Sequence, residues 1–406
     1  MEKKMYMTEA QALSEANRCL HCYEAPCKSA CPAGVNVPQF INRIATCDWV
    51  GAAQTIKEGN PLGLVCGLVC PSAELCRKDC NCGKLGESIR ISDLQAYAMQ
   101  KAVERGDSWT AVADEKKDAR VAVIGGGPSG VVAAALLAAK GYGVTLFEKA
   151  DHLGGVPMDE IPNARLDKAM FDKEIAQLLA GSVEVRLNAA IDAAKAKELS
   201  AAYDAIYVAC GLGDPYAGFE TNAEGVMSAE AFLRLANSGK LTGVSGTVFV
   251  QGGGNTALDA AVTAKKLGAE RSIICYRRSQ LEMPAWEDEF VSAVKDGVEF
   301  LFQTQVLGAD EQNDKVAGAV LAPVALAEAD ASGRRKPVVQ EDKRFVMAGS
   351  MILTATGKKK NAELIKAFDA DKTFVGGDAE NGGATVVQAV AEAKKAVEAI
   401  DSKLSK

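Results

Sequence analysis

Hydrophobic positions recur at helical spacing through roughly the first hundred residues and in short solid runs after that, so the chain changes texture once. Thr8-Glu9-Ala10-Gln11 has the form of a capping box opening a helix that runs towards Cys19. Pro38–Lys57 (PQFINRIATCDWVGAAQTIK) carries a helical apolar stripe and stops at Gly59-Asn60-Pro61. Ile89–Val103 predicts a further helix. Glu104–Ala119 is polar, includes Asp114-Glu115-Lys116-Lys117-Asp118, and reads as a linker.

Beyond the linker the pattern is α/β. Arg120–Gly125 (RVAVIG) predicts a buried strand, Pro128–Lys140 an alanine-rich helix and Gly143–Glu148 (GVTLFE) a second strand. This βαβ unit is a dinucleotide-binding half-fold. A like unit recurs in Thr247–Gln251, Asn255–Leu267 and Arg271–Tyr276. The two glycine loops begin 127 residues apart, about one domain length.

Each loop sits where a phosphate cradle belongs. In Gly125-Gly126-Gly127-Pro128-Ser129-Gly130 the first glycine permits the turn and the second admits a pyrophosphate to the backbone. The third lets helix and strand close up, and the helix start offers free N–H groups to an anion. Glu148 ends the next strand, where a carboxylate accepts hydrogen bonds from ribose hydroxyls. The second loop, Gly252-Gly253-Gly254-Asn255-Thr256-Ala257, has no such acid. Its second strand ends Tyr276-Arg277-Arg278, and arginines there grip a 2′-phosphate that a carboxylate would repel. That pattern favours NADP(H) over NAD(H), while a solvated basic turn would read the same. Near the C-terminus, Gly376-Gly377-Asp378 precedes a helix over about 384–400. A carboxylate at that place is suited to a ribityl hydroxyl, and a capped surface helix reads the same way.

Composition narrows the class. With 48% hydrophobic and 24% charged residues the chain is globular, neither disordered nor a coiled coil. A net charge of −7 lacks the basic footprint of a nucleic-acid binder. The longest apolar run, Val131–Ala139, stops at Lys140 and is too short to span a membrane. The opening MEKKMYMTEAQ lacks a signal-peptide core, so a cytoplasmic location is expected. Two histidines, His21 and His152, leave little room for a histidine base.

Cysteine is the anomaly. Ten of the twelve fall between Cys19 and Cys82. The first run is Cys19-x2-Cys22-x4-Cys27-x3-Cys31-Pro32, and the second contains Cys66, Cys70-Pro71, Cys76, Cys80 and Cys82. A disulfide scaffold requires an oxidising compartment that nothing here specifies. Zinc favours CxxC pairs separated by a longer spacer. The first run is close to the ferredoxin spacing, whose fourth cysteine serves the other cluster, so two 4Fe-4S clusters are expected.

With these parts the chain resembles the flavin and iron–sulfur half of dihydropyrimidine dehydrogenase, in the form that occurs as a separate bacterial subunit. Glutamate synthase small subunits and the large subunits of electron-bifurcating ferredoxin–NADP reductases are more distantly similar. The resemblance covers nearly the whole chain. It rests on Ala16-Asn17-Arg18-Cys19-Leu20-x-Cys22, Ala25-Pro26-Cys27, Cys31-Pro32, Asn60-Pro61-Leu62-Gly63-Leu64-Val65-Cys66-Gly67, Val69-Cys70-Pro71, Leu75-Cys76 and Cys80. It continues through Gly154-Gly155, Glu160-Ile161-Pro162 and Arg165-Leu166.

The resemblance implies interleaved cluster ligands. One cluster takes Cys19, Cys22, Cys27 and Cys80. The other takes Cys31, Cys70, Cys76 and a glutamine, here Gln95 in Ile89-x-Ile91-x-x-Leu94-Gln95. Cys47, in a helix, and Cys66 and Cys82 are left over as thiols. It implies FAD at Gly125, Gly127, Ser129, Gly130, Glu148, Gly155, Arg165, Gly377 and Asp378. It implies a nicotinamide nucleotide at Gly253, Gly254, Asn255, Thr256, Arg277, Arg278 and Ala355-Thr356-Gly357. Only 18 residues separate Gly357 from Gly376, fewer than in the family, and no arginine matches the family's additional one near Met283-Pro284.

The implied fold is multi-domain. An N-terminal α-helical iron–sulfur domain with linker (residues 1–118) precedes two nested α/β Rossmann-like domains. One binds FAD (119–227 plus 358–406) and the other NAD(P) (228–357). The implied activity is the electron-input half of dihydropyrimidine dehydrogenase, with an FMN-containing partner subunit that reduces uracil or thymine, in a hetero-oligomer. The alternatives are a glutamate synthase small subunit or a ferredoxin–NADP reductase and, outside enzymes, a flavin-bearing assembly subunit. No residue is identified as catalytic.

Overall fold

The computed structural model describes residues 5–107, 115–181, 183–329 and 335–405. Residues 108–114 of the expected linker therefore lie outside the described residues.

Two compact units emerge. The first comprises residues 1–158, 163–213 and 360–406, and the second 159–162 and 214–359. The helical region and the first Rossmann region, expected as separate domains, form one unit, and the crossing falls at 213/214 where 227/228 was expected. The reason is strand Val226–Ser228, which pairs with Met351–Thr354 in the second unit's own sheet and takes the preceding segment with it.

In the first unit the chain opens as expected. The Thr8 hydroxyl accepts from the Gln11 amide, the Gln11 side chain returns to the Thr8 N–H, and helix Glu9–Ala16 follows. The expected single helix over 38–57 is two, Val37–Ala45 and Trp49–Gly59. Cys47 adopts a left-handed φ of 60° between them, and Asp48 caps the second by accepting from Gly51 N at 2.9 Å. Cys47 is thus an exposed turn residue and not a helical one. Helices Gly63–Val69 and Ile91–Arg105 complete a core of Phe40, Ile41, Ile44, Ile56, Leu64, Leu94 and Met99, all fully buried.

The same unit holds a parallel sheet in the order Thr373–Val375, Ala205–Val208, Arg120–Ile124, Gly143–Phe147, Val183–Arg186. Helix Pro128–Ala139 is alanine-rich because it is buried on nearly every side. The helical and Rossmann regions are joined by polar contacts. Lys394 Nζ, on the C-terminal helix Val386–Leu404, donates to Ala33 O (2.9 Å) and Gly59 O (2.8 Å). Gln177 donates to Val103 O at 2.9 Å.

The second unit has its own five-stranded parallel sheet, ordered Val226–Ser228, Met351–Thr354, Thr247–Gln251, Arg271–Tyr276, Glu299–Phe302. An antiparallel meander from Thr304–Gln312 through Lys315–Ala329 to Arg335–Val339 and Phe345–Ala348 was not foreseen from the sequence. Its inward residues Val306, Ala319 and Leu321 join Phe249, Ile273 and Ile352 in one apolar cluster. No helix among the described residues is long and apolar enough to cross a membrane.

Candidate functional site

The thiols stand in two groups, and none of the twelve is in a disulfide. Cys22, Cys80 and Cys82 lie near enough to Cys19 to raise it, and Cys27 feels Cys19 and Cys80. Cys70 and Cys76 both feel Cys31. Cys31, Cys66, Cys70, Cys76 and Gln95 line one small pocket with Asn60 and Ser72. The fold sets Cys31, Cys70, Cys76 and Gln95 around one pocket, and Cys76 also feels Cys27 of the other group. Among the described residues no three His, Cys, Asp or Glu side chains converge as a single-ion site.

Burial sets the chemistry of the thiols. It pushes Cys27 up to about 11 and Cys76 up to about 12, with neighbouring thiols adding to the shift, and raises Cys70 further. Such thiols ionise when a cationic centre stabilises the thiolates, as iron in a cluster does. The donor sets, four thiols and three thiols with an amide, fit that group. Gln95 is nine-tenths buried and lines the pocket, and its Nε2 donates to Gly63 O at 2.7 Å, so the amide's remaining lone-pair atom is Oε1. Cys66 lines the same pocket and is held by the Asn60 side chain, while Cys82 Sγ donates to Arg18 O at 3.3 Å.

The first glycine loop has the geometry of a cradle. An added Cβ on Gly130 would meet Gly125 O at 1.8 Å, so helix and turn close as only glycine permits. Glu148 Oε2 accepts from Gly126 N (2.6 Å) and Oε1 from Ala150 N (2.8 Å), which fixes the carboxylate at the strand end with lone pairs to spare. Gly154 N donates to Gly126 O at 2.8 Å, and a Cβ on Gly155 would stand 3.0 Å from Gly127 Cα. The C-terminal motif reaches the cradle despite its short approach: a Cβ on Gly377 would meet Ser129 Cβ at 2.9 Å. Asp378 follows, opening a short helix and accepting from Ala384 N at 3.1 Å. The Ser129 hydroxyl is buried against Tyr207 OH at 2.7 Å, so this residue offers the cradle its backbone and not its side chain. Arg165 is half-buried just before helix Lys168–Leu179.

The second loop borders a cleft of about 470 Å3 lined by Gly252, Gly253, Gly254, Arg277, Arg278, Ala355 and Thr356. Three expected contacts lie outside its lining. Asn255 and Thr256 are not in its lining, and Asn255 Oδ1 accepts from Trp286 N at 3.0 Å, bracing the loop that follows. Gly357 sits one residue beyond the cleft, its carbonyl accepting from Tyr216 N at 2.9 Å. Sequence reasoning missed Gln251, Tyr216, Thr304 and Gln305, which also line it. Only Gln251, the strand residue before the glycines, had a position that could have drawn notice. Arg335 was missed as well: its carbonyl accepts from Arg278 Nε at 3.3 Å, and it joins Arg278 in facing Glu282.

Comparison with known proteins gives iron–sulfur and pyridine-nucleotide families. Residues 1–107 match the family model described as dihydropyrimidine dehydrogenase domain II, 4Fe-4S cluster. Residues 123–178 match an NAD(P)-binding Rossmann-like domain, and 180–373 pyridine nucleotide-disulphide oxidoreductase. The NAD-dependent dihydropyrimidine dehydrogenase subunit PreT of Escherichia coli (strain K12) is 33% identical over 97% of this chain and 94% of that protein. The glutamate synthase [NADPH] small chain of the same organism is 29% identical over 97% of this chain and 91% of its own length. Among solved structures, thioredoxin reductase from Lactococcus lactis superposes with a TM-score of 0.55 at 17% identity, over 71% of this chain and 99% of that one, a likeness of fold alone.

Proposed function

The chain belongs to the family of NAD-dependent dihydropyrimidine dehydrogenase PreT subunits, pyridine-nucleotide oxidoreductases with iron–sulfur centres, and from that premise we propose that it is the electron-input subunit of a two-part enzyme. NADPH or NADH binds at the second glycine loop, FAD at the first, and two 4Fe-4S clusters at the two thiol groups. A partner subunit carrying FMN completes the enzyme and reduces uracil or thymine.

The observation that carries this reading is the make-up of the first unit: one glycine cradle and both thiol groups belong to the same compact body. FAD held at the first loop would supply the exchange between a hydride's electron pair and the single electrons that iron–sulfur centres accept. The chain's own residues bind and orient. Glu148 and the backbone N–H groups of Gly127, Ser129 and Gly130 hold the nucleotide end of the flavin. Gly377 and Asp378 close over that loop. Arg277 and Arg278 meet the ribose end of the nicotinamide nucleotide at the cleft. Gln95 supplies the one neutral ligand, which changes its cluster's net charge and hence its potential.

Anaerobic stopped-flow tests the input half: NADPH or NADH bleaches the flavin, and cluster signals follow by electron paramagnetic resonance (EPR). Flavin that stays oxidised with both nucleotides refutes the reading. Co-purification with the partner and a uracil reduction assay test the output half. A large amidotransferase in the partner's place would favour the glutamate synthase alternative, the activity named for the second relative.

A further inference from the structure

Helix Gly63–Val69 has no cap of its own. Its N-cap residue is Leu62, which offers no side-chain acceptor. The first N–H groups of a buried helix need partners, and here the partner comes from 110 residues away. Glu174, fully buried on helix Lys168–Leu179 of the Rossmann region, accepts from Leu64 N with Oε1 at 2.6 Å and from Val65 N with Oε2 at 3.2 Å.

A serine or asparagine at position 62 would cap this helix without burying a charge. Burying a carboxylate is costly until its hydrogen bonds offset the lost hydration. Burial accordingly pushes Glu174 up to about 7, against the pull of the Leu64 and Val65 N–H groups and Lys57. An expensive cap on a seven-residue helix calls for a reason in what the helix carries.

It ends on one proposed ligand of the second cluster and is hydrogen-bonded to another. Cys70 is its C-cap, with its N–H donated to Cys66 O at 3.1 Å. Gln95 is tied to its first residue through the 2.7 Å bond from Nε2 to Gly63 O, one position before the amides that Glu174 takes. The two helices touch backbone to backbone: a Cβ on Gly67 would meet Ala96 N at 2.6 Å and Ala96 Cα at 2.7 Å. A shift of the helix start therefore moves the Cys70 thiol and the Gln95 amide together, away from Cys31 and Cys76 across the pocket.

We propose that Glu174 is a positioning residue for the second iron–sulfur cluster, fixing the start of helix Gly63–Val69 so that Cys70 and Gln95 meet the cluster in register with Cys31 and Cys76. The inference rests on the cluster reading above and adds a residue of the flavin-binding region to the cluster's support.

The test uses the full chain, purified anaerobically, as wild type, Glu174→Ala and Glu174→Gln. Iron and acid-labile sulfide per FAD, the EPR spectrum of the reduced clusters and flavin bleaching by NAD(P)H are measured together. Glu174→Ala is expected to lose one cluster, halving iron per FAD while the other cluster's signal and flavin bleaching persist. Glu174→Gln retains one acceptor and is expected to keep its iron. Removing a negative charge then shifts the g-values of one cluster alone and moves its potential to a more positive value, read at about pH 8.5 where the wild-type carboxylate is ionised. Full iron with unchanged spectra and potentials in both variants overturns the proposal. If Glu174→Ala does not fold, the glutamine variant decides alone by the same criteria. Iron-free wild-type protein would overturn the cluster reading itself, a result distinct from iron-replete wild type with unchanged variants.

Discussion

The middle glycines of the two loops offer a separation of the two nucleotide sites. Gly127 and Gly254 are the N-caps of helices Pro128–Ala139 and Asn255–Lys266, with φ of −73° and −93° and extended ψ, a conformation alanine adopts freely. An added Cβ on either meets nothing within 4 Å. Gly253 differs, since its Cβ would stand 2.4 Å from the Tyr276 ring. Alanine at 127 or 254 therefore leaves the fold within about 1 kcal/mol, reduced unfolded-chain entropy offsetting a poorer cap. The cost falls on the ligand. A pyrophosphate oxygen approaches a loop N–H to about 2.9 Å, and a methyl carbon in that space pushes it out of hydrogen-bond range. One or two charge-assisted bonds, each worth about 1.5–3 kcal/mol, are lost. Taking about 2–4 kcal/mol, dissociation constants rise roughly 30- to 1000-fold. Gly254→Ala should purify with full flavin, reduce normally with dithionite and need that much more NADPH or NADH for bleaching. Gly127→Ala should purify without FAD and melt at the temperature of wild-type protein stripped of its flavin. Saturation of Gly254→Ala within threefold of wild type, or full flavin in Gly127→Ala, would show that the cradles are elsewhere.

Two further outcomes follow from the same geometry. Arg278→Ala with Arg277→Ala should raise the KM for NADPH about tenfold or more, with a weakened salt dependence, and leave that for NADH within twofold; equal effects on both nucleotides would remove the arginines from the 2′-phosphate and favour NADH as the donor. Cysteine-to-serine changes at 47 and 82, outside the proposed donor sets, should leave iron content unchanged, whereas those at 76 or 80 should each cost one cluster; loss of iron from the position-47 variant would contradict its exposed place in the turn.

The sequence made the Rossmann units legible because their strands are solid apolar runs ending at glycines. Arg120–Ile124, Gly143–Phe147, Thr247–Gln251 and Arg271–Tyr276 end within a residue of expectation. The division of the thiols into two donor sets came from resemblance, since spacing alone does not say which run folds back on which. Other features depend on pairings that local pattern does not encode. The helix break at Cys47 turns on one left-handed residue inside a continuous apolar stripe. The meander from Thr304 hides behind small residues such as Gly308, Gly318 and Ala319, and its register is irregular between Val306 and Gly308. Glu174 sits in KAMFDKEIAQLL, where an acid at that place in an amphipathic helix reads as solvated. Only the packing of a distant helix start on it shows otherwise.

That same acid gives the protein an unusual dependence of stability on pH. Glu174 is raised by burial to about 7, and Lys57, 8% exposed, is lowered by burial to about 6. For the acid, the folded state binds the proton more tightly than the unfolded chain, so its contribution is full below the ordinary carboxylate range and is lost as pH rises towards 7. For the lysine the sign reverses. Between 6 and its ordinary value near 10.4 the unfolded chain carries the extra proton, so stability rises with pH across that window. Each slope is about 1.4 kcal/mol per pH unit at most. Stability should therefore fall by up to about 2 kcal/mol over pH 5–6.5 and recover by up to about 2 kcal/mol over pH 7–8.5, with a minimum between. The upper limit keeps clear of thiol ionisation in the unfolded chain near pH 8.5. Anaerobic melting curves across this range check it. Lys57→Met should abolish the recovery and keep the fall, and Glu174→Gln should do the reverse. A wild-type profile that is flat from pH 5 to 8.5, or a Lys57→Met profile parallel to it, would show that these two groups are hydrated in the folded protein and that burial is not what sets their charge.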